Sequence, residues 1–227
     1  MYPDSAVYLV LITLAACIVI FFLLYFASKL SRAQKRKDIL DKLNPGPSEA
    51  ARLLRLAFGG KNVIRGVYLP MYEGKRVSSY VYADTIVILP TCIAVCRIRS
   101  EAGTIYCDDG YDWHQSARLR SGGTLETDFT NPMGMNREAV TALRRIFDKT
   151  QIDEPPIHGV VIFASRSVRF SCSQPNVFGL TDGYNMLRNL RRGERIPKSS
   201  LSAYRKLILT YTVRKSVAEG YNVKKLT

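Results

Sequence analysis

Asp84, Arg97 and Arg99 are the residues whose types and spacing best suit a chemical site. They lie in the stretch Val81 to Arg99, where two runs rich in β-branched and aromatic residues are separated only by Pro90-Thr91. So short a turn signal between such runs predicts a hairpin. Asp84 sits inside the first run, and Arg97 and Arg99, two residues apart, project from one face of the second. An acid on one strand then faces cations on its neighbour. The carboxylate in such a layout is placed to ligate a metal.

The elements that must position this stretch are bounded by the chain as a whole. Its 227 residues suit one medium domain with appendages. The 33 Lys and Arg against 19 Asp and Glu give a net charge of +14, which favours anionic partners: nucleic acid, an anionic membrane face, or both. Nothing in the sequence points to a small-molecule substrate. The five cysteines (Cys17, Cys92, Cys96, Cys107, Cys172) form no CxxC, and His114 and His158 are the two histidines. That inventory argues against a Cys/His zinc site and for free thiols in a reducing compartment.

Ala6 to Ala27 carries no charge and is long enough to cross about 30 Å of hydrocarbon as a helix. Lys29, Arg32, Lys35, Arg36 and Lys37 follow at once, against Asp4 on the other side. The positive-inside rule places the N-terminus outside and the remainder in the cytoplasm, a single-pass anchor in the inner membrane. The chain reads as an anchor over 1–28, a basic linker over 29–47 ending at Pro45-Gly46-Pro47, a folded domain over 48–190 and a basic extension over 191–227.

Within the domain, Ser48 is the expected N-cap of a helix to about Phe58, with Ala50, Leu53, Leu54 and Ala57 on one face. A strand is expected over Asn62 to Leu69 with a turn at Pro70–Gly74, then the hairpin, then a short strand over Gly103 to Cys107. Asp108 to Trp113 and much of Ser121 to Asn131 read as loops. A helix opens near Asn131-Pro132 or Asn136 and runs to about Lys149, with Val140, Leu143, Ile146 and Phe147 as its buried stripe. Gly159 to Ala164 is apolar throughout, as a strand covered on both faces should be. Val168 to Cys172 is a possible edge strand, and Thr181-Asp182-Gly183 a cap for a helix through Arg191. Leu201, Tyr204, Ile208 and Tyr211 form the apolar stripe of a last, basic helix. The order predicts an α/β fold, a mixed sheet flanked by helices.

The same motifs, taken in order, resemble the nuclease-related domain of the PD-(D/E)xK endonuclease superfamily. Ser48-Glu49 ahead of the first helix is similar to that family's Gly-Glu opening. Val63 to Pro70 resembles its first strand, and Asp84 falls at the acid of its Gln-Ile-Asp-His-Ile motif. Trp113, Asn131-Pro132 with Asn136 and Leu143, and Val160 to Ala164 carry the remainder. The resemblance implies a restriction-endonuclease-like fold with Glu49 and Asp84 as catalytic carboxylates and Asp84 as the first Mg²⁺ ligand. It also implies a Glu-x-Lys on the next strand, and there this sequence has Arg97-Ile98-Arg99. Met135 stands at the family's glutamine, and Tyr82 and Thr85 at the polar residues flanking the acid.

A cation in place of the metal-binding glutamate competes with Mg²⁺ for Asp84, and the most economical arrangement is an Asp84–Arg97 ion pair. Arginine is also too basic to exchange a proton with water near neutral pH. Three functions remain open at this point. One is a catalytically degenerate, membrane-anchored domain that binds nucleic acid, through Arg97 and Arg99, or a protein partner, with no cofactor. Another is an active Mg²⁺-dependent nuclease whose site is rebuilt with Glu101, Asp108 or Asp109. The last is a structural component of a membrane-associated machine.

Overall fold

The apolar run and the basic stretch after it form one helix, α1 (Pro3–Asp41). Neither proline nor glycine interrupts it beyond Pro3, so nothing breaks the helix before the Pro-Gly-Pro at 45–47. Leu11, Phe21 and Leu24 are exposed, and residues 11–41 make a helix long and apolar enough to cross a membrane. The molecule is a computed structural model describing residues 3–41, 45–119, 122–171 and 174–226, with side chains placed between 11 and 221. The linker's residues 42–44, Ser121 and Cys172 lie outside the described residues. Two compact units result, Met1–Asp41 and Lys42–Thr227.

The second unit is built on a five-stranded sheet of order β1-β2-β3-β7-β9. Its strands are β1 (Val63–Glu73), β2 (Arg76–Ile88), β3 (Ile93–Arg99), β7 (Ile157–Phe163) and β9 (Val177–Gly179). β1, β2 and β3 are antiparallel neighbours, and β3, β7 and β9 run parallel. The β2–β3 hairpin is present, closed where Leu89 N–H donates to Cys92 O at 2.8 Å. The chain does not turn at Pro70: β1 runs through it to Glu73 and reverses at Gly74, whose φ is 61°. β1 is the sheet's edge strand, where a missing N–H is tolerated.

Alternation decides what covers each face. Ile93 and Val95 of β3, with Ile64, Ile86 and Ile157, pack against Ala139, Val140, Leu143, Ile146 and Phe147 of α3 (Pro132–Thr150). Asn131 caps that helix, its side chain accepting from Met133 N–H at 2.9 Å. α5 (Lys198–Tyr211) adds Tyr204, Leu207 and Ile208 to the same core. Ala94 and Cys96, the alternate residues of β3, face the other way and are fully buried too. α2 (Pro47–Phe58) packs against β1, β2 and β3 through Ala50, Leu53 and Leu54. It begins two residues earlier than expected, with Gly46 as N-cap in place of Ser48 and Pro47 in its first turn, a position where proline's fixed φ suits the helix. α4 (Leu180–Leu190) packs on β7 and β9, and α6 (Lys215–Leu226) on β1 and β2.

A second sheet corrects the loops expected from sequence. β4 (Thr104–Tyr106), β5 (Asp112–Arg118), β6 (Thr124–Thr130) and β8 (Arg169–Phe170) form it in the order β6-β5-β4-β8. β6 left no hydrophobic signal because its first five residues are all exposed. Trp113 anchors this sheet, stacked on Phe163 of β7 with centroids 6.5 Å apart. The reading of five free thiols also needs correction. Cys17, Cys92 and Cys96 are free, but Cys107 is disulfide-bonded.

Candidate functional site

Asp84 lies opposite Gly66, whose φ is 60°, in a β1–β2 ladder that keeps one register from Arg65 with Thr85 to Val67 with Ala83 and shifts only at Met71/Tyr72. A positive φ there favours glycine. The Asp84 carboxylate reaches β3: its Oδ2 accepts the Ile98 N–H at 3.1 Å and lies 3.3 Å from Arg97 Nε. The guanidinium is near but off the hydrogen-bonding angle, so Nε is in an ion pair without a directed bond. The two side chains are only 21% and 11% exposed. Arg97 is held from its other side as well, donating to Tyr82 O and to Met135 Sδ, each at 3.4 Å. Burial raises the Asp84 pKa above the ordinary carboxylate value, and Arg97, the Ile98 N–H and Arg99 pull it back only in part. Neighbouring Cys96 is pushed up to about 12, by burial first and then by the charge of Asp84. That thiol is inert at neutral pH.

The other expected site residues have separate partners. Arg99 pairs with Glu101, its Nε donating to Oε2 at 3.0 Å, and its guanidinium lies over the Phe129 ring. Glu49 closes the capping box of α2, its Oε2 accepting the Gly46 N–H at 3.2 Å. Asp108 and Asp109 line a different cavity of about 800 Å³ with Tyr111, Asn131 and Glu138. Asp108 accepts the Gly110 N–H, and Asp109 accepts from Gln174. Among the described residues no three His, Cys, Asp or Glu side chains are grouped to hold a metal ion.

Asp84 opens onto a cavity of about 510 Å³ between α2 and the β1–β2 pair. Its lining adds residues to which sequence reasoning gave no binding role: Ser48, Arg55, Arg65 and the wall residue Thr85. A signal for them existed. Ser48, Ala51 and Arg55 follow the three-and-four spacing of one helix face, and all three line the cavity. Arg55 and Arg65 are exposed.

Neither the curated proteins nor the solved structures give a match to this chain. A family model described as nuclease-related domain matches residues 42–164.

Proposed function

The chain belongs to the nuclease-related domain family, and we propose that it is a membrane-anchored member that has lost cleavage and kept nucleic-acid binding. The observation that carries this reading is Arg97 Nε lying 3.3 Å from Asp84 Oδ2. Mg²⁺ requires several oxygen ligands in near-octahedral array. Asp84 supplies one carboxylate, already satisfied by a guanidinium and a backbone N–H, while Glu49 is engaged by the α2 cap. This donor set does not fit the metal, and no catalytic step is derived through it. The basic excess of +14 supports an anionic partner. α1 supplies the anchor, and the basic cluster from Lys29 to Lys37 supports a cytoplasmic domain at the inner membrane.

The test is incubation of the purified full chain with labelled DNA and RNA in Mg²⁺ and in Mn²⁺. The expected result is binding without cleavage. Metal-dependent cleavage abolished by Asp84→Ala would establish an active nuclease instead.

A further inference from the structure

We infer that the cavity between α2 and the β1–β2 pair is a phosphate subsite: Arg55 and Arg65 hold a phosphodiester of a bound nucleic-acid strand, and Thr85, its hydroxyl buried in the wall, joins them on binding. The inference rests on the nucleic-acid reading above and names the groups that perform it. Arg97 and Arg99 are not those groups.

The first reason is the state of the arginines. Arg97 is buried against Asp84, Tyr82 and Met135, and Arg99 is locked to Glu101 and covered by Phe129. A phosphate would have to displace a carboxylate to reach either. Arg55 and Arg65 are exposed, and neither has a carboxylate partner among the described residues. Both line the same 510 Å³ cavity. A guanidinium without a counter-ion, facing a concavity, is suited to bidentate recognition of phosphate.

The second reason is independent of charge. Thr85 is fully buried, and its Oγ1 has no hydrogen-bond partner. A buried hydroxyl without a partner is costly, and such groups are rare in folded proteins. Thr85 is the register partner of Arg65, so the two side chains share a sheet face, and both line the cavity. Valine would satisfy the packing here without the orphan hydroxyl. A small shift on binding lets the hydroxyl donate to a phosphate oxygen.

Electrostatics and shape agree. Asp84 also lines the cavity, but Arg97 at 3.3 Å offsets its charge, which leaves Arg55 and Arg65 as the net excess. Tyr82, 37% exposed at the rim, offers ring surface on which a base beside the held phosphate can stack.

The experiment is fluorescence anisotropy of a labelled single-stranded oligonucleotide with the full chain in detergent, across a salt series. Arg55→Ala and Arg65→Ala should each weaken binding about tenfold, the loss of one charge-assisted hydrogen-bond site. The double variant should reduce the salt slope by about one. Arg118→Ala and Arg192→Ala remove the same charge from exposed positions outside the cavity and should change affinity less than threefold. Thr85→Val should weaken binding several-fold with no loss in denaturation midpoint. If the parent binds and the cavity variants lose no more than the two controls, the subsite is wrong and nucleic-acid binding stands. If Thr85→Val leaves affinity unchanged, the hydroxyl's part is wrong. A parent that binds no oligonucleotide at low salt overturns the subsite together with the function it rests on.

Discussion

At the scale of single residues, the Asp84–Arg97 pair decides both chemistry and stability. Taking two charges out of water is expensive, and breaking such a pair from one side typically costs 3–5 kcal/mol, whereas removing both charges is often nearly neutral. Arg97→Met should therefore lower unfolding free energy by about 3 kcal/mol at pH 7. Adding Asp84→Asn, which keeps an acceptor for the Ile98 N–H, should recover all but about 1 kcal/mol. Urea denaturation of the full chain in detergent, followed by the single tryptophan, Trp113, measures both. Additive losses would mean that the pair is not coupled. The same site sets a pH dependence. The folded-state pKa of Asp84 lies above its unfolded value, so the folded state binds the proton more tightly. Stability from this group is fully present below the unfolded pKa, near 4, and is lost as pH rises through the folded pKa. Removing Arg97 raises the folded pKa further and extends that loss upward. The deficit of Arg97→Met relative to the parent should thus shrink as pH falls from 7 toward 4. A deficit constant over that range would place its cause elsewhere than the Asp84 charge.

At the scale of elements, a buried polar side chain ties α3 to two strands of the sheet. Asn136 is buried and donates through Nδ2 to Val95 O on β3 and Val160 O on β7, at 3.1 and 3.2 Å. Gly159 makes the space: a Cβ there would meet Asn136 Nδ2 at 3.1 Å. Asn136→Leu should cost about 2–4 kcal/mol, two lost hydrogen bonds plus a larger side chain beside Gly159, read from the same denaturation curves. The β5–β6 hairpin depends on exposed chemistry instead. His114 Nδ1 meets Asp128 at 2.8 Å and Nε2 meets Glu126 at 3.6 Å across the two strands. The hydrogen bond to Asp128 is the main cause that raises the His114 pKa. The stabilisation is present below the ordinary histidine pKa and fades as pH rises through the folded one. Amide exchange in 112–130, corrected for its intrinsic pH dependence, should be better protected at pH 6 than at pH 8.5. His114→Gln should abolish that difference, and a difference that survives would exonerate His114. These two cases also show what the sequence could reveal. α3, β3 and β7 announced themselves because burial imposes a periodicity on their residues, whereas the Asp84–Arg97 pairing was implied by the family resemblance and not by the spacing itself. β6 was invisible because neither of its faces is covered at 124–128. The cavity arginines were missed because their neighbourhood arises from a helix packing on a strand pair, which no local spacing encodes beyond the Ser48-Ala51-Arg55 face.

At the scale of the whole molecule, two observations bear on which side of a membrane the folded unit occupies, and they pull in opposite directions. Lys29, Arg32, Lys35, Arg36 and Lys37 sit immediately after the apolar part of α1, which retains such a segment on the cytoplasmic side. The disulfide at Cys107 is a bond of oxidising compartments, since cytosolic thiols are kept reduced. The order of events decides between them. Orientation is set while α1 inserts, before the following residues have folded, whereas a disulfide forms only once its two segments have met. On the cytoplasmic placement proposed above, the charges set the side as α1 inserts, and the redox state of Cys107 follows from it. A reporter active only in the cytoplasm, fused after Thr227, should be active in the parent. Replacing the five basic residues by glutamine and adding three lysines before Ala6 should reverse the bias, silence that reporter and expose the folded unit to protease from outside. On that placement Cys107, disulfide-bonded in the structure, should be held reduced in intact cells and be alkylated without added reductant, and in the inverted variant it should resist alkylation until reductant is supplied. A parent whose reporter is silent and whose Cys107 resists alkylation would move the folded unit to the oxidising side. It would also separate that unit from cytoplasmic nucleic acid, so the topology measurement constrains the proposed function as tightly as any assay of binding.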